Sequence, residues 1–287
     1  MAATRGKLVY HKTIFDDWRS LTIGIYMALV GYAVMVGLPV ISTAWVSQLG
    51  FTEVEVGRVA GADLGGLAIG AVISAIFVAR VDRRYMTIGA AGLAIAANLL
   101  CIYFQTYDAT LWLRLMAGVG AGVYTGIAVA TIAGHSRPAF AFGLELFAFA
   151  ASQGAELKFL PYLTMNGIYL VLAGTFVLGL LFITWLPRRP AEKKLDVEVD
   201  IEEPDGGHHL EHQHVPAYVP WLVLLAIVFT YINIGAYWTY IELAAADSAA
   251  SPDWVASMLW ISSVFSVIGC LFAVLLSNRY GLARPLL

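Results

Sequence analysis

Charge is what this chain has least of. Asp, Glu, Lys and Arg make up 13% of its 287 residues, against roughly 25% in soluble domains. With 60% hydrophobic residues and a mean hydropathy of +0.75, that scarcity excludes an ordinary water-soluble domain and points to a bilayer as the solvent. Cysteine is nearly absent: Cys101 and Cys270 each sit alone in an apolar run, which excludes a disulfide scaffold and a cysteine metal centre. A basic excess is missing too. Lys and Arg number 17 against 20 Asp and Glu, for a formal charge of -3, so the chain carries no electrostatic footprint for nucleic acid. Alternation of apolar and polar residues is also lacking in the long runs, which excludes a transmembrane β-barrel.

What the sequence has is eight apolar runs of about 20 residues, the length a helix needs to cross hydrocarbon with its backbone polar groups satisfied internally. The runs predict helices near Leu21–Trp45, Val54–Val78, Met86–Phe104, Leu111–Ala133, Pro138–Leu160, Ile168–Leu186, Val219–Leu243 and Trp254–Leu276. Basic residues fall on alternate connections. Arg5, Lys7, Lys12 and Arg19 precede the first run; Arg80, Arg83 and Arg84 follow the second; Arg137 follows the fourth; Arg188, Arg189, Lys193 and Lys194 follow the sixth; Arg279 and Arg284 follow the eighth. The loops 46–53, 105–110 and 244–253 carry none, so both termini are expected in the cytoplasm of a bacterial-type inner (plasma) membrane. Trp18, Trp45, Trp112, Trp185, Trp221 and Trp254 lie near run ends and read as interfacial anchors.

Three segments follow from this pattern: a six-helix half over 1–187, an acidic cytoplasmic linker over 188–218, and a shorter part over 219–287 holding helices seven and eight. The linker contains His208, His209, His212 and His214, which read either as a solvated tract or as imidazoles spaced closely enough to meet one metal ion. Val81-Asp82-Arg83-Arg84-Tyr85 closes the second run and Ser277-Asn278-Arg279-Tyr280-Gly281 closes the eighth, so the third segment reads as the start of a repeat of the first.

On these residues the chain resembles the major facilitator superfamily. The loop at Asp82 and Arg83 is similar to the family's G-x-x-x-D-R-x-G-R-R signature, with Val78 and Tyr85 where glycines are usual, and the loop at Arg279 and Gly281 is similar to its second copy, with Asn278 in place of the acid. Arg114-Leu115-Met116-Ala117-Gly118-Val119-Gly120-Ala121-Gly122 resembles the family's R-x-x-x-G-x-G-x-G motif in helix four; the Gly-Pro antiporter signature of helix five is absent from 140–161. The resemblance implies an all-α membrane bundle, and a secondary-active transporter of a small organic solute working by alternating access, as a symporter or uniporter, with or without a coupled proton. It implies no enzyme activity, no cofactor and no metal. Because the family fold has twelve helices, it also implies that this chain is a fragment lacking helices nine to twelve. A non-transporting eight-span sensor or scaffold, whose linker binds a partner, stays open beside it.

Ionisable groups within spans are costly and mark function by default. Asp63 and Arg114 enter helices two and four from the same side, at depths that a long arginine can bridge, and read as a substrate or coupling pair or as a static structural pair. Glu145 is expected at the cytoplasmic vestibule; Glu156, Lys158 and Glu242 are expected at the outer interface. Tyr231, Asn233 and Tyr237 of helix seven, with Tyr26 and Tyr32 of helix one and Tyr124 of helix four, are the expected lining of a solute cavity. Asp82, Arg83, Asn278 and Arg279 are the expected cytoplasmic gate. Gly57, Gly61 and Gly65 on helix two, and Gly118, Gly122 and Gly126 on helix four, predict ridges where helices pack closely.

Overall fold

A computed structural model describes residues 14–188, 218–247 and 251–280. Each apolar run becomes one helix: α1 (Trp18–Leu49), α2 (Glu53–Phe77), α3 (Arg83–Tyr103), α4 (Tyr107–Ala133), α5 (Pro138–Phe159), α6 (Met165–Leu181), α7 (Val219–Asp247) and α8 (Pro252–Tyr280). No strand occurs among the described residues, and the fold is the expected all-α bundle. The linker histidines and the segment 281–287 lie outside the described residues.

By length and composition, α1 to α4 are apolar enough to cross a bilayer, and α6 is a shorter apolar helix that tightens into a 3-10 turn at Ile183–Trp185. Local chemistry sets the boundaries. Gly50, at φ 72, closes α1 in the left-handed conformation that glycine adopts without a Cβ clash. Thr52 and Glu55 form a reciprocal capping box that starts α2; Asp82 caps α3 by accepting from the Arg84 N–H at 2.8 Å; Thr164 accepts from the Gly167 N–H to start α6.

One end of the bundle carries Arg19, Arg80, Arg84, Arg137 and Arg188 and is called the basic end here; the turns at 50–52, 104–106 and 163–164 mark the opposite end. Apolar packing forms two layers along the axis. Near the basic end, Ile23, Met27 and Val30 of α1 meet Ala91 and Ala94 of α3, Tyr124 and Ile127 of α4 and Phe176 of α6. Near the opposite end, Leu38, Ile41 and Trp45 of α1 meet Val56 and Val59 of α2, Ile168 and Leu172 of α6, and Val255 and Leu259 of α8. Among the described residues, α7 and α8 join the second layer, through Trp238, Ile241 and Ala245 as well as the two α8 residues.

The closest helix pair is α2 with α4, and small residues make it so. A Cβ on Gly118 would fall on the Asp63 carbonyl oxygen and one on Gly122 on that of Leu67, while Cβ atoms on Gly66 and Gly70 would meet the carbonyls of Leu115 and Val119. The α4 ridge is the expected one. On α2 the expected ridge is displaced: Gly61 and Gly65 have nothing within 4 Å, Gly57 faces Tyr240 of α7, and the packed glycines are Gly66 and Gly70. The reason is Asp63. Gly66 and Gly70, three and seven residues after it, share its face, and that face is turned inward by the ion pair described next.

Candidate functional site

A buried ion pair joins α2 and α4. Arg114 of α4 donates from Nε (2.9 Å) and Nη2 (2.5 Å) to Oδ2 of Asp63 on α2, with side-chain exposures of 1% and 5%. Its remaining nitrogen, Nη1, donates to Oδ1 of Asn98 on α3 at 2.7 Å, and the Asn98 amide donates to the Ala94 carbonyl at 2.8 Å. The guanidinium carbon lies 5.9 Å from the centre of the Tyr169 ring on α6, and the Tyr169 hydroxyl accepts from Trp45 Nε1 of α1 at 3.0 Å. Five helices thus meet at one charge pair in which each guanidinium nitrogen has an acceptor. A buried pair of this kind offsets its desolvation only when the geometry is good and the spare donors are bonded, and here both conditions hold.

The sequence brought Asp63 and Arg114 together but not the other three. Asn98 is a lone amide in an Ala-Leu run, a signal that was there to be read. Trp45, expected as an interfacial anchor, is instead fully buried, because its indole N–H is needed by Tyr169; Trp18, Trp112, Trp221 and Trp254 are exposed, as anchors are.

The expected lining residues divide into groups. Tyr124 is wholly buried in the first six helices, its ring 5.0 Å from that of Phe176 and edge-on to it. Tyr26 is half-buried and donates to the Thr175 carbonyl of α6 at 2.7 Å. Tyr32 turns the other way, with its ring 6.0 Å from Phe149 of α5. On α7, Asn233 and Tyr237 are exposed, while the Tyr231 side chain lies outside the described residues.

Glu145 and Glu156 of α5 and Glu242 of α7 are each partly or wholly enclosed. Glu145 of α5 is 8% exposed. Glu156 is not simply interfacial: its Oε2 is enclosed without a hydrogen bond and stands 3.0 Å from where a Cβ on Gly37 of α1 would be. Gly37, with no side chain, leaves the notch into which that carboxyl fits. Glu242 likewise has an enclosed Oε2 without a hydrogen bond. Lys158 lies over Trp260 of α8 at 5.3 Å.

At the basic end, Asp82 caps α3, and Arg83 is buried with its guanidinium 5.0 Å from the Phe15 ring and Nη1 3.3 Å from Thr131 Oγ1. Arg84 ties the end of the sixth helix, donating from Nε to the Leu186 carbonyl at 2.7 Å and from Nη2 to that of Thr184. The side chains of Asn278 and Arg279 lie outside the described residues.

At the opposite end, α7 is docked. Trp238 Nε1 donates to the carbonyls of Met35 and Val36 on α1, 3.2 Å each, and the Tyr240 hydroxyl donates to the Glu53 carbonyl of α2 at 3.1 Å. From Trp221 to Tyr237, every described α7 side chain is exposed, with Gly235 partly covered.

The family profile described as the Major Facilitator Superfamily matches residues 19–287. No curated protein matches the chain. The chain therefore belongs to the major facilitator superfamily and is an integral membrane protein of a transporter family, as the loop and helix-four motifs implied.

Proposed function

We propose that this member of the major facilitator superfamily is a secondary-active transporter of a small organic solute that works by alternating access. The observation that carries the reading is the one-sided packing of α7 and α8. Among the described residues, α7 and α8 enter the apolar packing of the first six helices in the layer at the opposite end, while the described α7 side chains from Trp221 to Ile234 are exposed. A pathway closed at one end and open at the other is the arrangement alternating access requires. The distribution of Lys and Arg supports a cytoplasmic assignment for the basic end and both termini, in an inner (plasma) membrane of bacterial type.

In this reading Tyr32, Tyr231, Asn233 and Tyr237 face the solute, and Tyr26 and Tyr124 back it from α1 and α4. Asp63 and Arg114 form the coupling pair: a proton on Asp63 would release Arg114 and loosen the five-helix junction, which makes the chain a symporter, whereas an inert pair makes it a uniporter. Asp82 and Arg83 meet the end of α8 at Asn278 and Arg279 when the basic end closes.

The test is solute exchange in proteoliposomes holding the full chain, with solutes first chosen by the thermal stabilisation that a ligand of the folded state produces. Exchange that needs the protein, responds to an imposed pH gradient and loses that response in Asp63→Asn supports the coupled reading. Exchange indifferent to pH supports a uniporter. No stabilisation and no exchange with any solute would favour the scaffold or sensor reading.

A further inference from the structure

One face of α5 is used by nothing described above. Glu145, Phe149, Ser152 and Glu156 recur at spacings of four, three and four, which puts them on a single stripe. That stripe is turned toward α1, because Phe149 meets the Tyr32 ring and Glu156 reaches the Gly37 notch. Lys158, two residues beyond Glu156, lies on the other side of the helix over Trp260 and does not neutralise it.

Neither acid has a partner among the described residues. Glu145 is 8% exposed and makes no hydrogen bond or ion pair with them, and the buried Oε2 of Glu156 makes none. The cations of the interior are already committed: Arg114 to Asp63, and Arg83 to the basic end against Phe15. No cation among the described residues pairs with either acid of this stripe. α1 supplies no charged side chain between Arg19 and its end, and Ser263 and Trp260, which α8 sets against this part of α5, carry no charge.

Uncompensated carboxyls at membrane depth are costly unless they meet a positive charge or a proton. Eleven residues separate Glu145 from Glu156, about 16 Å along the axis at ~1.5 Å per residue, so the two cannot ligate one ion. A lone carboxyl among Ala and Phe also lacks the several oxygens a hard metal cation needs. Between the acids stands the edge-to-face pair of Tyr32 and Phe149, whose faces attract a dispersed positive charge.

We propose that this stripe is a path for a monovalent organic cation, with Glu145 and Glu156 as successive stations and Tyr32 and Phe149 between them. The proposal rests on the transport reading and narrows its solute to a class: amphipathic cations, not anions or sugars.

The experiment is equilibrium dialysis of tritiated tetraphenylphosphonium against the purified full chain in non-ionic detergent, with protein-free micelles as the blank. Tetraphenylborate serves as the competitor of equal size and opposite charge. The expected result is saturable binding that tetraphenylborate does not compete, with the Kd raised at least tenfold in Glu145→Gln and in Glu156→Gln. Helix content and gel-filtration profile check that each variant folds; if Glu145→Gln does not, Glu156→Gln and Phe149→Leu carry the test. No saturable binding, binding indifferent to these substitutions, or equal competition by the anion would overturn the path. The transport reading is scored separately, by spin-label distances at the two ends of α1 and α7. Distances that alternate without cation binding remove the path alone, and fixed distances with charge-selective binding remove transport and with it the path, leaving a cation-binding stripe.

Discussion

The indole N–H of Trp238 on α7 bonds the carbonyl of Met35 on α1, at 3.2 Å, four residues before Pro39. Proline has no amide hydrogen, so the Met35 carbonyl has lost the partner that position 39 would have supplied within the helix. A side chain from the other half of the molecule fills the vacancy. The proline within α1 and the docking of α7 at the opposite end are thus linked.

That linkage predicts a coupled pair of substitutions. Trp238→Phe keeps the ring but removes the donor, and is expected to weaken closure of the opposite end by about 1 kcal/mol, the net worth of an ordinary hydrogen bond. Pro39→Ala returns an amide to the Met35 carbonyl, so in that background Trp238→Phe should have much less effect. A double-mutant cycle on the closed fraction, read by spin-label distances, checks it; equal effects in both backgrounds would dismiss the linkage.

Arg114→Ala leaves Asp63 buried without a counterion, and the expected loss is about 3–5 kcal/mol of unfolding free energy. Replacing both, as Asp63→Leu with Arg114→Met, removes the charge problem and should recover most of it. Denaturant unfolding in detergent measures both. If the double variant is no better than Arg114→Ala, the pair is not the source of the loss.

Two glycines that look alike in the sequence should respond with opposite signs. Gly118→Ala drives a methyl into the Asp63 backbone and should cost about 1–3 kcal/mol. Gly61→Ala meets nothing within 4 Å and should stabilise the helix by about 0.5–1 kcal/mol. Melting temperatures of the two variants in one detergent settle the comparison, and a loss at Gly61 would contradict the displaced ridge on α2.

Much of the bundle was legible because the bilayer imposes a simple rule: apolar runs of sufficient length become helices, and all eight did. The pairing of Asp63 with Arg114 was also legible, since both depths follow from counting residues inward from one side. What the sequence did not carry was rotation about each helix axis. α2 is apolar or small on most sides, so nothing in its pattern said that the face of Gly66 and Gly70, not that of Gly61 and Gly65, packs on α4. For the same reason Trp45 looked like an anchor and Glu156 like a surface acid. Each lies near a helix end, yet Trp45 faces Tyr169 and Glu156 faces the gap left by Gly37. Partners hundreds of atoms away along the chain, such as Trp238 for Met35, are written in no local pattern.

The most direct test of alternating access places spin labels on α1 and α7 at both ends: Ser47 with Ala244 at the opposite end, Thr22 with Leu222 at the basic end, all exposed positions. In the reconstituted full chain, pulsed dipolar spectroscopy should find two populations at each pair, the short distance at one end accompanying the long distance at the other. Trp238→Phe should shift both pairs in opposite directions. A single unchanging distance at each end, in the presence and absence of solutes and in the variant alike, would contradict the account.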